Sequence, residues 1–210
     1  MLGPCLFLAY INDLPSYVQS NTRLFADDTA VDRVIKSDED RKALQRDLDS
    51  LAKWEKQWDM EFHPGKCTVL SVTRSQNPQP AVYKLHGQEL QQVQEAKCLG
   101  VTIQTDGEWS RHIEDTSKKA NRTLGFLRRN LKIGSKKTKE RAYKQLVRPT
   151  IEYASSVWDP YKQTEIDLLE KTQRRAARFV SNRHRNTSSV SDMLETLEWP
   201  TLQERRHRAR

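Results

Sequence analysis

Apolar residues Phe7, Tyr10, Ile11 and Leu14 recur at i, i+3, i+4 and i+7, which predicts a helix at the front of the chain that Pro15 ends. The polar stretch Gln19-Ser20-Asn21 turns the chain, and Leu24-Phe25-Ala26 and Thr29-Ala30-Val31 then read as two short strands flanking Asp27-Asp28. Ser37, with Asp40 three residues on, has the form of a capping box in which Asp stands for the usual Glu or Gln. It opens a helix to about residue 59, lined on one side by Leu44, Leu48, Leu51 and Trp58. His63-Pro64-Gly65 is a turn, Cys67 to Val72 a strand, and residues 75–80 a polar loop. Val82, Tyr83 and Leu85 lead to a turn at Gly87, and Leu99, Val101 and Ile103 alternate as a strand does.

At Asp106-Gly107 the pattern changes from mixed to helical, which places the main domain boundary at about residue 105. Ile113, Ala120, Leu124, Leu127 and Leu131 form a first stripe, and a second helical stretch from Lys136 to Trp158 is kinked or divided at Pro149. In a third helix, about 164–180, Ile166, Leu169, Gln173, Ala176, Ala177 and Val180 share one face, and Lys171, Arg174, Arg175 and Arg178 fall on the other. Solvated faces normally mix both signs, and beyond Asp167 no acid interrupts this cationic ridge, so it favours a polyanion partner. The element order gives an α+β fold: a small antiparallel sheet with helices, then a helical bundle.

The composition narrows the class further. The chain has 210 residues, with Lys+Arg 36 against Asp+Glu 28, a net charge of +8 and a pI near 9.4. Its 7 glycines and 8 prolines exclude collagen-like and low-complexity chains, and no run approaches the ~20 apolar residues of a membrane span. The apolar start lacks a basic n-region and a small-residue cleavage site, so it does not read as a signal peptide. Cys5, Cys67 and Cys98 are odd in number and far apart, which argues for a reducing, intracellular setting, cytoplasmic or nuclear, and against a disulfide framework. His63 and Cys67 have a ligand-like spacing, but Pro64 and Gly65 break the helix that would align them. Charge is uneven: residues 1–60 hold 8 basic and 11 acidic side chains, whereas 118–148 hold 12 basic side chains and the single acid Glu140. An acidic front and a basic rear suggest a carboxylate centre joined to a surface that holds a polyanion through Lys118, Arg122, Arg128, Arg129 and the ridge.

Phe25-Ala26-Asp27-Asp28-Thr29 is the most specific feature. Adjacent carboxylates between apolar strands repel one another in a half-buried site, and a divalent cation with oxygen ligands, magnesium above all, relieves that repulsion. Strand alternation sends neighbours to opposite faces, which a hairpin tip relaxes. A plain Asp-rich surface turn is the competing explanation of the pair alone.

Longer motifs surround it. Leu2-Gly3-Pro4, Leu6-Phe7 and Tyr10-Ile11-Asn12-Asp13-Leu14-Pro15, followed by Leu24 to Thr29, closely resemble the reverse transcriptases of non-long-terminal-repeat retrotransposons, the jockey-like group in particular. The likeness continues through Trp58 to Cys67, Leu85-His86-Gly87, Cys98-Leu99-Gly100-Val101, Leu124 to Arg129, Leu146 to Pro149, Glu152-Tyr153-Ala154 and Val157-Trp158-Asp159-Pro160. It covers roughly residues 1–180, with the motifs in linked order.

The resemblance implies the carboxyl-terminal palm and thumb of an RNA-directed DNA polymerase, with a palm at 1–105, a helical thumb at 106–185 and a basic tail at 186–210. Asp27 matches the principal metal ligand and Asp28 its partner, holding Mg2+ for two-metal phosphoryl transfer. Lys66 lies where a lysine near the incoming triphosphate is expected, and it reads equally as a solvated lysine beside a turn. Cys98, Leu99 and Gly100 match the hairpin that grips the primer end, with Cys98 in place of the usual aromatic. The implied partners are an RNA template, a DNA primer and deoxynucleoside triphosphates. His63 stands where the family usually has Asn. Family members carry a further metal-binding aspartate upstream of the Gly-Pro motif, with the fingers, so the expectation is a truncated and inactive copy in which Phe7, Tyr10 and Ile11 are partly exposed. The alternative is a non-catalytic nucleic-acid-binding remnant that uses the basic thumb.

Overall fold

The computed structural model describes residues 2–75, 81–183 and 189–210, and the chain divides into two compact units, Met1–Ala96 and Lys97–Arg210. The division falls ahead of the compositional change near residue 105, so the Cys98–Gly100 segment belongs with the helical unit.

In the first unit, α1 (Gly3–Ile11) ends before Pro15, which instead opens a 3-10 turn at Leu14–Tyr17, where a missing N–H costs nothing. The hairpin β1 (Asn21–Phe25) and β2 (Asp28–Asp32) follows, then α2 (Asp38–Trp58). The Ser37–Asp40 capping box is present, and α2 stops where Asp59 takes a left-handed φ of 52°. One flank of α2 packs Leu51 and Trp54 against Ile11 and Leu14, and the Trp54 indole N–H donates to Asp13 Oδ1 at 3.0 Å. The other flank, through Leu44 and Leu48, covers Tyr83, Leu85 and Leu90.

Ile11 is buried, contrary to the expected partial exposure, because α2 and the Leu14 turn cover it, whereas Phe7 beside it is partly exposed and Tyr10 exposed, as expected. At the front of the chain the large apolar side chains left in solvent are Leu2, Leu6, Leu8 and, marginally, Tyr10. The remaining strands do not make one antiparallel sheet. Strand β3 (Thr68–Leu70) pairs in parallel with β6 (Gln91–Val93), and β4 (Lys84–Leu85) forms a tight hairpin with β5 (Gln88–Glu89) over His86-Gly87. Of the loop read at residues 75–80, residues 76–80 lie outside the described residues.

Strand β7 (Glu95–Cys98), across which the division falls, pairs with β8 (Val101–Gln104), and α3 (Ser110–Asn130) follows in the second unit. The stretch read as kinked or divided at Pro149 is divided: α4 (Lys136–Ala142), a π-helical turn at Tyr143–Val147, α5 (Arg148–Glu152) and α6 (Ser155–Trp158). The wide turn sits just ahead of Pro149, the residue that cannot donate to a preceding carbonyl. Helix α7 (Gln163–Ser181) lies along α3, and both bury the stripes expected of them, including Ile113, Ala120, Leu124, Leu169, Ala176 and Val180.

The supposed tail is a correction: 189–210 is not a tail, while 186–188 lie outside the described residues. Helices α8 (Val190–Thr196) and α9 (Leu202–Arg208) place Met193, Leu197, Trp199 and Leu202 in the same core as α3 and α7. Their arginines are spent on internal ion pairs, Arg205 with Glu152 and Arg206 with Asp159. Among the described residues no helix is long and apolar enough to cross a membrane.

Candidate nucleic-acid interface

The register of the first hairpin pairs Phe25 with Asp28, so Ala26 and Asp27 are the two-residue connection. Two-residue hairpin loops need positive φ at the first central position, and Ala26 supplies it at 51°. Asp27 therefore sits on the tip and Asp28 opens β2. Both carboxylates are exposed, and Phe25 beside them is 63% exposed, so the half-buried setting inferred from the apolar flanks does not hold: the strands are short and one-sided. The hairpin is anchored at its other end. Asp47 of α2, itself buried, accepts from the Gln19 and Ser20 amides at 2.9 Å and from the Ser20 hydroxyl at 2.5 Å. Lys66 closes a 3-10 turn at Pro64–Lys66 and is exposed.

The second candidate segment is built with strain. Leu99 and Gly100 form the β7–β8 turn with φ of 47° and 84°, and leucine tolerates that region poorly. Tyr153 holds the tip: its hydroxyl donates to the Leu99 carbonyl at 2.8 Å, and its ring lies 3.4 Å from where a Cβ on Gly100 would stand. Cys98 and Leu99 are exposed there. Tyr153 was not singled out by sequence reasoning; its place in the Glu152-Tyr153-Ala154 motif was the available signal.

Gly100→Ala is expected to cost about 1 kcal/mol, because it forces a Cβ into a left-handed turn. The amides of the turn should then exchange faster with solvent, and Tyr153→Phe should give a smaller change of the same kind. Unchanged exchange in both would show the clamp to be idle.

Charge separates the two units. Residues 1–96 carry 11 basic and 14 acidic side chains, whereas 97–210 carry 25 basic and 14 acidic ones. On α7 the ridge is as expected: Lys171, Arg174 and Arg175 are exposed and Arg178 partly so. Arg175 is steadied by Asn121 of α3, to whose side-chain oxygen it donates at 2.9 Å. Two of the three acids of this helix are buried away from the ridge, and exposed Asp167 stands at its start. Glu165 accepts from Ser110, and Glu170 is buried, accepting from the Gln203 amide at 2.9 Å, with its pKa pushed up by burial. On α3, Lys118 is neutralised by Glu114 at 2.7 Å, while Arg122, Arg128 and Arg129 are exposed without an ion pair among the described residues. Sequence reasoning did not separate these, because i, i+4 pairing cannot be read from net charge.

The chain is similar to RNA-directed DNA polymerases of mobile elements. It is 27% identical over 197 residues to the probable RNA-directed DNA polymerase from transposon BS of Drosophila melanogaster, covering 87% of this chain and 22% of that protein. It is 24% identical over 208 residues to the probable RNA-directed DNA polymerase from transposon X-element of the same species, covering 92% of this chain and 22% of that protein. The RNA-directed DNA polymerase from mobile element jockey of D. melanogaster is 26% identical over 197 residues, with 86% of this chain and 21% of that protein covered. The chain thus spans about a fifth of the length of the curated relatives it matches. No protein-family model and no solved structure matches it.

Proposed function

We propose that this chain is the palm-and-thumb portion of an RNA-directed DNA polymerase, whose second unit grips a template–primer duplex by its phosphates while its first unit brings Asp27 and Asp28 to the primer end. The observation that carries the reading is an Asp-Asp pair at a hairpin tip, Asp27 in the two-residue connection and Asp28 opening the next strand, in a chain similar to RNA-directed DNA polymerases over 86–92% of its length. The large positive excess of residues 97–210 supports the duplex-holding role. In this reading Lys66 faces the incoming deoxynucleoside triphosphate, and the exposed Cys98-Leu99-Gly100 turn, stiffened by Tyr153, bears on the primer.

Two adjacent exposed carboxylates suit Mg2+, which takes one or two carboxylates and completes its octahedron with water and substrate phosphates. Asp27 and Asp28 would hold it, and when bound it would supply charge stabilisation for the attacking and leaving oxygens of phosphoryl transfer. Among the described residues no group of three or more His, Cys, Asp or Glu side chains could hold a metal, so those residues offer two carboxylates where a clamp on two ions needs more.

The purified chain is therefore expected to retain an RNA–DNA hybrid at low salt and to give no magnesium-dependent extension of a DNA primer on an RNA template. Failure to retain the hybrid would remove the binding role. Extension that Asp27→Asn abolishes would show the catalytic centre to be complete in this chain.

A further inference from the structure

Lys139 of α4 is 2% exposed, yet no carboxylate lies within ion-pair distance of it among the described residues. Its ammonium donates to the Lys132 carbonyl at 3.2 Å and to the Asn182 side-chain oxygen, and sits 5.4 Å from the centroid of the Phe179 ring. These contacts satisfy N–H groups but leave a whole positive charge buried, which is costly unless a counter-charge is near. Lys132 and Asn182 follow the ends of α3 and α7, and a helix C-terminus presents about half a negative charge. Against those partial charges stand full cations. Lys139 lines a cavity of about 270 Å³ with Arg128, Lys132, Phe179 and Asn182, and no acid is among its walls. A second opening of the same size, walled by Gly125, Arg128, Arg129 and Lys132, shares two of those cations.

We infer that this double notch between α3, α4 and the end of α7 is a preformed phosphate site, in which successive phosphodiesters of one nucleic-acid strand sit between Arg128 and Lys132, the first against Lys139. The inference rests on the duplex-holding role proposed above and assigns it a seat. Exposed Arg128 and Lys132 close on the phosphate oxygens, while Lys139 is held by packing and loses no side-chain entropy on binding. A Lys139 that carries an uncompensated charge destabilises the empty fold, so its removal separates stability from binding.

The test uses the full chain as wild type, Lys139→Met and Arg128→Gln/Lys132→Gln, each melted with and without inorganic phosphate and titrated with salt on an RNA–DNA hybrid. Lys139→Met should melt no lower than wild type, bind on the order of fivefold more weakly at about 0.15 M salt, and show a slope of log K against log salt shallower by about one. The double variant should lose about two units, and because its changes are at exposed positions it carries the test even if Lys139→Met fails to fold. A wild type that binds the hybrid, with both variants matching its slope, would overturn the notch and leave the duplex-holding role intact. A wild type that does not bind the hybrid would overturn the role itself. Stabilisation of the wild type by inorganic phosphate without hybrid binding would overturn the nucleic-acid strand as occupant in favour of a free anion. A Lys139→Met that melts lower with an unchanged slope would reduce Lys139 to a complement of the two helix ends.

Discussion

Trp158→Ala is expected to unfold the second unit at temperatures where the wild type is intact, costing about 3–5 kcal/mol. The indole is fully buried, lies edge-on to the His112 ring at a centroid distance of 5.1 Å, and donates its N–H to the Tyr153 carbonyl at 2.8 Å. Alanine removes the buried area, leaves a cavity under α6 and frees a carbonyl beside the strained turn that Tyr153 clamps. It also unseats His112, whose pKa burial pushes down and whose Nδ1 accepts from the Thr102 amide at 3.2 Å. Domains of this size hold a net stability of about 5–15 kcal/mol, so the loss is at least about a fifth of the whole. A fall in Tm of more than about 10 °C should follow, read by near-ultraviolet circular dichroism. Trp158→Phe keeps most of the area and the edge contact but not the N–H donor, and should fall between the two. A Trp158→Ala protein melting within a degree or two of wild type would remove this residue as the keystone of the helical core.

Alanine at Arg174, Arg175 and Arg178 together should flatten the salt slope of duplex binding by two to three units and weaken binding roughly 100-fold at about 0.15 M salt, if each arginine meets one phosphate. Among the described residues no ion pair holds the ridge: Glu165 and Glu170 are buried, Glu170 with Arg174 near it, and exposed Asp167 at the start of the helix accepts from Gln163 at 3.0 Å. The aromatic residue of α7, Phe179, is buried, so the exposed face offers charge without a stacking platform. Affinity should accordingly vary little among duplexes of equal length and different sequence. Arg178 also lies in the last turn of α7, where a cation favours the helix, so melting curves of the triple variant must accompany the titration. An unchanged slope would mean that the ridge faces solvent only.

Much of the fold was legible along the chain where local chemistry decides. The Ser37–Asp40 box and the alternating faces of α3 and α7 depend on neighbours within one or two turns, and they stand as read. The last two helices were equally legible: Ser189 with Asp192 and Thr201 with Glu204 place capping residues three apart, each hydroxyl accepting the expected amide. A count of arginines hid them, because net charge does not reveal that Arg205 and Arg206 face inward toward Glu152 and Asp159.

The candidate site divides in the same way. That Asp27 and Asp28 stand where two short strands meet, and that Lys171, Arg174, Arg175 and Arg178 share a helix face, follows from periods of two and 3.6 residues and needs no tertiary information. The exposure of the two carboxylates, the Tyr153 clamp on the Leu99-Gly100 turn and the uncompensated burial of Lys139 were decided by tertiary structure. A side chain's charge is written in the sequence, but its electrostatic worth depends on which distant groups and how much water surround it. Those neighbours come from other elements, as Asn182 does for Lys139 from 43 residues away, and only packing brings them together.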